Sequence, residues 1–456
     1  MAESHIPVAG TTHNLETARF QNDAGTLVDR EGVFIGDPDN FDRKASVSAS
    51  GSLSVVSDST QLDAFSRLRV SNPVTLFNSQ SQYDMGLADA WNHKTTTGGS
   101  ATHLPDQSSV RMSTDATAGA SIIRQSQRYI RYQPGKSQLI FVTFDFEAVD
   151  GGTKRAGYFD GDDGVFVEMA ADGSLKFVVR SSASGSVVDT NFAAQADWNV
   201  DKFDGTGVSG VTLDMTKSNI LVIDLQWLAV GRVRVGWDID GDLLYAHEFD
   251  WANKNSGVYM KTANLPIRYE LTGNANSTQM QAICASVNSE GGFIADLGHE
   301  HVTPNGITGV SCPVTVETFV IAIRPKVLFN SITNRGEYVP EGMSFYLTGN
   351  AALLRLYHGG TLTGGSWVSS DSESGIEYNV GATVTTPGHI VNSEFGAAAG
   401  GGKAFSSSGR GDASNRIFLN LDIDGTQPDH SNFYLVGTGI GGTATVYANL
   451  HWTEIK

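Results

Sequence analysis

Short runs in which apolar and polar residues alternate recur along this chain, and no stretch sustains a helical period. Alternation places every second side chain on one face of an extended segment, so each run reads as a half-buried strand. The clearest are Leu139–Phe146 (L-I-F-V-T-F-D-F), Val165–Met169 and Leu175–Arg180, with Asp172-Gly173 between the last two as a tight hairpin signal. Further strands are predicted at Asn219–Trp227, Val230–Asp238, Leu243–Phe249 (across Ile239-Asp240-Gly241-Asp242), Ile267–Thr272, Met280–Val287 and Val316–Arg324. The best helical stretch, around Asp84–Asn92, is two turns at most. The chain has 51 glycines against 12 prolines, as many strands joined by Gly-rich turns would require. No glycine recurs at every third position, which removes a collagen-like stalk. The expected class is all-β.

At 456 residues the chain is long enough for two or three cores. Residues 1–62 are polar and weakly patterned, with Val33-Phe34-Ile35 and Leu53–Val56 as strand candidates and a Ser-rich Lys44–Thr60. They read as an N-terminal arm or anchor that gains order by packing on a neighbouring subunit or a particle. Residues 63–325 read as one large β-sandwich and 326–456 as a second. Strand candidates in the second are Lys326–Ile332, Met343–Thr348, Leu353–His358, Ile376–Tyr378, Arg416–Ile423, Phe433–Thr438 and Thr445–Trp452. Asn415–Asp424 and Ala444–His451 alternate well enough to be expected as antiparallel neighbours, and the Gly-rich Phe395–Gly411 as an exposed loop.

A formal charge of −18 repels phosphate backbones and argues against nucleic acid as the main partner. No run approaches the ~20 apolar residues that span a membrane. The opening M-A-E-S-H-I-P-V has neither a basic n-region nor an apolar h-region. A soluble protein made in a cytoplasm is expected. Cys284 and Cys312 are too few for a disulfide framework and are expected as free buried thiols.

Three segments carry a family resemblance. Asp63–Phe77 reads D-A-F-S-R-L-R-V-S-N-P-V-T-L-F, and Arg124–Phe146 reads R-Q-S-Q-R-Y-I-R-Y-Q-P-G-K-S-Q-L-I-F-V-T-F-D-F. Within Gly236–Glu290 stand V-Y-M-K-T-A-N-L-P-I-R-Y-E-L and I-C-A-S-V-N-S-E. Together they resemble a family of tailed-phage (and some large-virus) virion structural proteins, fibre-like or surface-decorating. The stretch G-W-D-I-D-G-D-L-L-Y-A-H-E-F resembles the hairpin of a concanavalin- or laminin-G-like jelly roll. What this implies is a virion component and a homo-oligomer, a trimer by the habit of fibres. It would sit at the tail or baseplate, contact other virion proteins, and present loops to a host glycan or protein. A head fibre or capsid decoration protein is the alternative, and a polysaccharide-degrading virion enzyme a further one.

The candidate residues follow from chemistry. Arg67, Arg69, Arg124, Arg128 and Arg131 stand out in so acidic a chain. They read either as inter-subunit or particle contacts or as ion pairs within a domain. Asp160 and Asp162, and Asp238 and Asp240, offer clustered oxygen ligands of the kind calcium takes, although Asp-Gly also simply makes turns. Neither place has the closing acid of an EF-hand. His299 and His301 share a strand face, without an evident third metal ligand. Glu168, Glu248, Glu270 and Glu290 lie in or beside strands, where a glycosidase would need two facing carboxylates about 5–9 Å apart. There is no G-x-S-x-G elbow and no P-loop, so no catalytic residue and no cofactor is assigned. Arg410-Gly411-Asp412 spells an adhesion tripeptide by chance in a Gly-Ser-rich loop. Trp227 and Trp237 are expected in the core, and Trp251 and Trp367 are the candidates for stacking on sugar.

Overall fold

The computed structural model describes residues 62–456 except 66, 68, 70, 71, 88, 89, 294–297 and 406–416. Before them it describes the strand segments 4–7, 14–21, 27–32, 36–37 and 40–44. The chain divides into two compact units, Met1–Gln61 and Leu62–Lys456. In the first, Ser4–Pro7, Asn14–Gln21 and Leu27–Gly32 form an antiparallel sheet in chain order, and Gly36–Asp37 pairs with Asn40–Lys44. The strand candidates at 33–35 and 53–56, and all of the Ser-rich segment beyond Lys44, lie outside the described residues, as does Arg410-Gly411-Asp412.

The second unit is all-β, and among the described residues its only helical turns are three short 3-10 segments. At Asp84–Asn92 the described residues are not helical: Gly86 O accepts from the N–H groups of Ala90 and Trp91, and a strand begins at Trp91. Residues 74–289 build an antiparallel jelly-roll sandwich. One sheet has seven strands, in the order Val188–Ala194, Leu175–Ser181, Gly164–Met169, Thr153–Phe159, Ile267–Thr272, Ser121–Ser126, Trp91–Thr95. The other runs Asp242–Phe249, Val233–Ile239, Ser218–Leu225, Gln138–Asp145, Thr278–Ser289, Ser109–Thr114, Gly99–Leu104, with Val74–Gln80 also pairing Thr278–Ser289.

The alternation at 139–146 does what its pattern requires: residues of Gln138–Asp145 are buried and half-buried in turn. Ile140, Val142 and Phe144 enter the core with Trp237, Phe177 and Trp198, the last two stacked at 4.3 Å. Both expected hairpins form. Gly164–Met169 turns through Asp172-Gly173 into Leu175–Ser181, and Val233–Ile239 turns through Asp240 and Gly241, both left-handed, into Asp242–Phe249.

The C-terminal part is built on a further sheet of nine strands, organised by two long ones, Glu337–Thr363 and Phe433–Ile455. These pair along nearly their whole length, with register shifts at Pro340/Gly342 and Gly349/Ala351. The ladder folds over on itself. A Cβ placed on Gly437 would come within 2.8 Å of Cys312 Sγ and 3.3 Å of the Leu354 and Val446 side chains, so a larger residue there would displace Cys312 from the core. That core holds Leu347, Leu354, Leu356, Leu435, Val446 and Trp452.

His299–Pro304, Val310–Cys312 and Thr318–Pro325 all pair with Phe433–Ile455. The division expected at 325/326 therefore falls between Ser289 and His299. Of the run expected at Arg416–Ile423, the described residues Ile417–Ile423 form no strand; Leu419 makes an isolated bridge to Tyr338 and does not pair with 444–451, whose edges are already taken. Lys326–Ile332 is broken by a tight turn at Asn330-Ser331. In the Gly-rich stretch, Gly401–Phe405 adds a strand to Gly342–Tyr346. Cys284 and Cys312 are free, Cys312 fully buried and Cys284 half-buried. Among the described residues no helix is long and apolar enough to cross a membrane.

Candidate functional site

The Asp63–Arg69 segment is bound onto the eight-stranded sheet of its own chain. Asp63 caps the turn, accepting from the backbone N–H groups of Phe65 and Arg67 at 2.9 and 2.8 Å. Arg69 donates to Asp224 (2.8 Å), Glu290 (2.6 Å) and the Tyr245 hydroxyl (2.9 Å), and Asp224 is fully buried. Arg124 is equally internal. It lies 4.3 Å over the Trp91 ring and bonds Met85 O and His93 Nε2, so that burial, then the neighbouring cation, push His93 down to about 4.

Arg128 donates twice to Glu337 Oε1 (3.0 and 2.8 Å) and once to Leu76 O (2.6 Å), and stacks 3.8 Å from Phe418. Arg69 and Arg128 are thus engaged inside the chain, which corrects their assignment to subunit or particle contact. Arg67, half-exposed and paired with Asp63, and Arg131 remain for such a role.

The tryptophan expectations also change. Trp251 is buried, sandwiched between Tyr259 (3.8 Å) and Phe249 (5.8 Å), so no ring face is open to a sugar. Trp367 is half-buried with the Arg324 guanidinium 3.8 Å over its ring. Trp237 is in the core and Trp227 packs on it, as expected.

The acidic turns close on themselves. Asp160 accepts from the N–H groups of Asp162 and Asp163 at 2.8 Å, Asp238 from Gly241 at 3.1 Å, and Asp240 supplies the left-handed turn position. His301 sits 3.4 Å from Asp371 and 3.9 Å from buried Glu454, against the Trp452 ring, while His299 faces outward. Among the described residues no group of three or more His, Cys, Asp or Glu is placed to hold a metal ion.

Two of the candidate glutamates do meet. Glu168 and Glu270 flank Arg155 on the outer face of the seven-stranded sheet, each at 2.6 Å, in a row with Lys176 beyond Glu168. Burial works against the charge on Glu270, yet Arg268 and Arg155 hold its carboxyl below the usual range. A general acid needs the opposite shift. Glu248 pairs with Arg232 at 3.5 Å, and Glu290 belongs to the Arg69 network.

Next to that row lies a cleft of about 960 Å³ where the two sandwiches meet. One wall is the outer face of the seven-stranded sheet at Lys94, Ile123 and Arg268, with the Asp160–Asp163 turn and Tyr129–Arg131. The other is the hairpin of Leu328–Phe329 and Ile332–Thr333, followed by Asn334–Glu337, with Ile423, Asp424 and Lys456 beside it. Asn330 (φ 49°) and Ser331 (φ 64°) make the two-residue turn at the rim, and Ser331 holds a conformation such residues rarely take.

The walls are braced. Arg335 stacks 4.4 Å from Tyr129 and donates to Asp422 O (2.6 Å) and Ile423 O (3.2 Å). Lys94 pairs with Asp424 across the junction, and Lys456 lies between Glu454 (2.9 Å) and the Phe329 ring (4.5 Å). Six cations (Lys94, Arg131, Lys261, Arg268, Arg335, Lys456) line the cleft against five carboxylates (Asp160, Asp162, Asp163, Glu337, Asp424), an inversion of the chain's overall balance. Burial, then Asp160 and Asp163, raise the Asp162 carboxyl. Sequence reasoning reached Asp160, Asp162 and Arg131 but missed Tyr129, Lys261, Arg335 and the hairpin. The one available signal was Asn330-Ser331 between two apolar pairs.

Neither a family model nor a curated protein matches the sequence. Among solved structures the chain is similar to a Bacillus licheniformis β-glucanase at 10% identity and a TM-score of 0.31, over 47% of this chain and 97% of that one. It is similar to the legume lectin-like domain from Entamoeba histolytica at 9% identity and 0.30, over 47% and 97%. The binding domain of Paraclostridial mosquitocidal protein 1 follows at 11% identity and 0.32, over 59% and 60%. Likeness at this level does not bear on function.

Proposed function

We propose that this chain is a tailed-phage virion structural protein that binds, without cleaving, a glycan of the host surface through the cleft between its two sandwiches. It works as a homo-oligomer, a trimer, at the tail or baseplate, with residues 1–62 as the anchor. The single observation that carries the binding part is the cleft itself. It is a concave, polar site, built largely from turns at the ends of strands, in which the Tyr129 ring and the Arg335 guanidinium are held in place by contacts within the walls. The virion part rests on the resemblance of the three sequence runs.

Against a polysaccharide-degrading role stands Arg155, which is ion-paired to both Glu168 and Glu270 and, with Arg268, holds the Glu270 carboxyl below the range a general acid needs. Calcium is not required by this reading. The experiment is cryo-EM of purified particles with this chain traced, together with adsorption of the purified protein to host cells. Density at the tail with saturable adsorption supports the proposal. Density on the capsid shell turns the protein into a head fibre or decoration protein, and absence from the particle overturns the virion reading altogether.

A further inference from the structure

Deepening that reading, and resting on it, we propose that the sugar taken by the cleft is acidic: a residue bearing a carboxylate, of the uronate or sialate kind, seated against Arg131. Arg131 is the one cleft arginine with a buried Nη1 that meets no hydrogen-bond acceptor among the described residues. Leaving such a donor dry is costly, and a ligand oxygen placed there would recover the loss.

The carboxylate acting most directly on Arg131 is Glu337, and its Oε1 already accepts both bonds from Arg128. The other cleft arginines are occupied: Arg268 by Glu270 and Gln125, Arg335 by main-chain carbonyls. Lys261 stands exposed at the mouth, its backbone N–H fixed by Asp163 at 2.9 Å. In a chain of net charge −18, the cleft lining gathers six cations at one concave site, and among them Arg131 Nη1 is left to receive an anion. An acidic peptide fits less well. It would dock along a free strand edge or into apolar pockets, and this cleft offers mainly short polar side chains such as Thr262, Asn264, Asn330 and Ser331.

The test uses the full chain and a panel of short oligosaccharides containing glucuronate, galacturonate, mannuronate or sialate, each beside its carboxyl-reduced counterpart. Binding is measured by calorimetry at fixed ionic strength. At least one acidic member should bind at least about tenfold tighter than its reduced form. Arg131→Met should remove that preference, while Lys261→Met, at an exposed position, should weaken the acidic ligand a few-fold and leave the neutral one unchanged. If a neutral sugar binds and every acidic member lies within twofold of its reduced form, the acidic-sugar inference fails and the binding role survives. If no sugar of either kind binds, both fail. Should Arg131→Met not fold, Lys261→Met and loss of the preference at high salt decide the matter.

Discussion

Replacing Arg128 by Ala tests whether one buried ion pair holds the two sandwiches in the geometry that forms the cleft. Arg128 belongs to the first sandwich and Glu337 opens the longest strand of the second. Glu337 is 4% exposed and Arg128 7%, so truncation leaves a carboxylate with almost no water to replace two bonds of 3.0 and 2.8 Å. It also frees Leu76 O and uncovers Phe418. Breaking such a pair from one side costs about 3–5 kcal/mol. With a urea dependence of roughly 3 kcal/mol per molar, that lowers the midpoint by roughly 1–1.7 M. Urea unfolding followed by tryptophan fluorescence reads the shift, and a cycle with Glu337→Gln isolates the pairwise part, expected at about 2–3 kcal/mol. Because the pair is buried, raising the salt tenfold should change the coupling little. A coupling below about 0.5 kcal/mol, or one that fades with salt as a surface pair does, would refute the reasoning.

Other consequences can be read with the same assay. His93 and His430 are both held down to about 4, by burial and by a neighbouring Arg124 or His358 respectively. Below the unfolded value of 6.5 the unfolded chain takes protons that these folded histidines refuse, so their contribution is complete above pH 6.5 and is lost as pH falls toward 4. Between pH 7 and 4.5 that is about 2–3 kcal/mol each, and a His93→Gln/His430→Gln chain should show a flatter pH profile; an unchanged slope would contradict the assignment. Trp251→Ala should lose about 3–5 kcal/mol of stability, whereas Trp251→Phe keeps most of it; intact stability with lost adsorption would restore Trp251 as a surface contact. Ser331→Val should cost about 1–2 kcal/mol at the left-handed rim position, and Ser331→Gly should cost nothing; equal stability of the two would show that the turn is not strained.

The strands legible in the sequence are those with one buried face. Gln138–Asp145 and Thr278–Ser289 alternate because the eight-stranded sheet buries one side and leaves the other partly wet. Strands such as Trp91–Thr95, Gly99–Leu104 and Val188–Ala194 carry polar or small residues and gave no periodic signal, since their place is set by pairing with neighbours rather than by their own pattern. The second sandwich was misdivided for a related reason. Glu337–Thr363 reads as two short strands because its parity shifts at the Gly349/Ala351 bulge, and Phe433–Ile455 is interrupted in the same way at Gly439–Gly442. A bulge keeps the same side on the core while breaking the count of two, so a pattern reading sees an end where the chain only bends.

The site was harder to read because it is made by a junction. The arginines that drew attention are prominent in sequence for being rare in an acidic chain, yet rarity says nothing about which of them finds a partner. Arg69, Arg124 and Arg128 became internal supports, and each fixes a wall or a seam. Arg131, three residues beyond Arg128, points to a different fate, because Arg128 has already taken the one carboxylate, Glu337, that would have satisfied it. The same ion pair therefore does two things: it locks one sandwich to the other, and it takes up Glu337 Oε1 as an acceptor while the Glu337 charge still acts on Arg131. Arg128→Met together with Glu337→Leu would keep the seam packed while removing both charges. If the acidic preference of the cleft depends on Arg131 alone, that variant should retain it; if the preference disappears while the fold stays cooperative, the Arg128–Glu337 pair and not Arg131 sets the charge of the site.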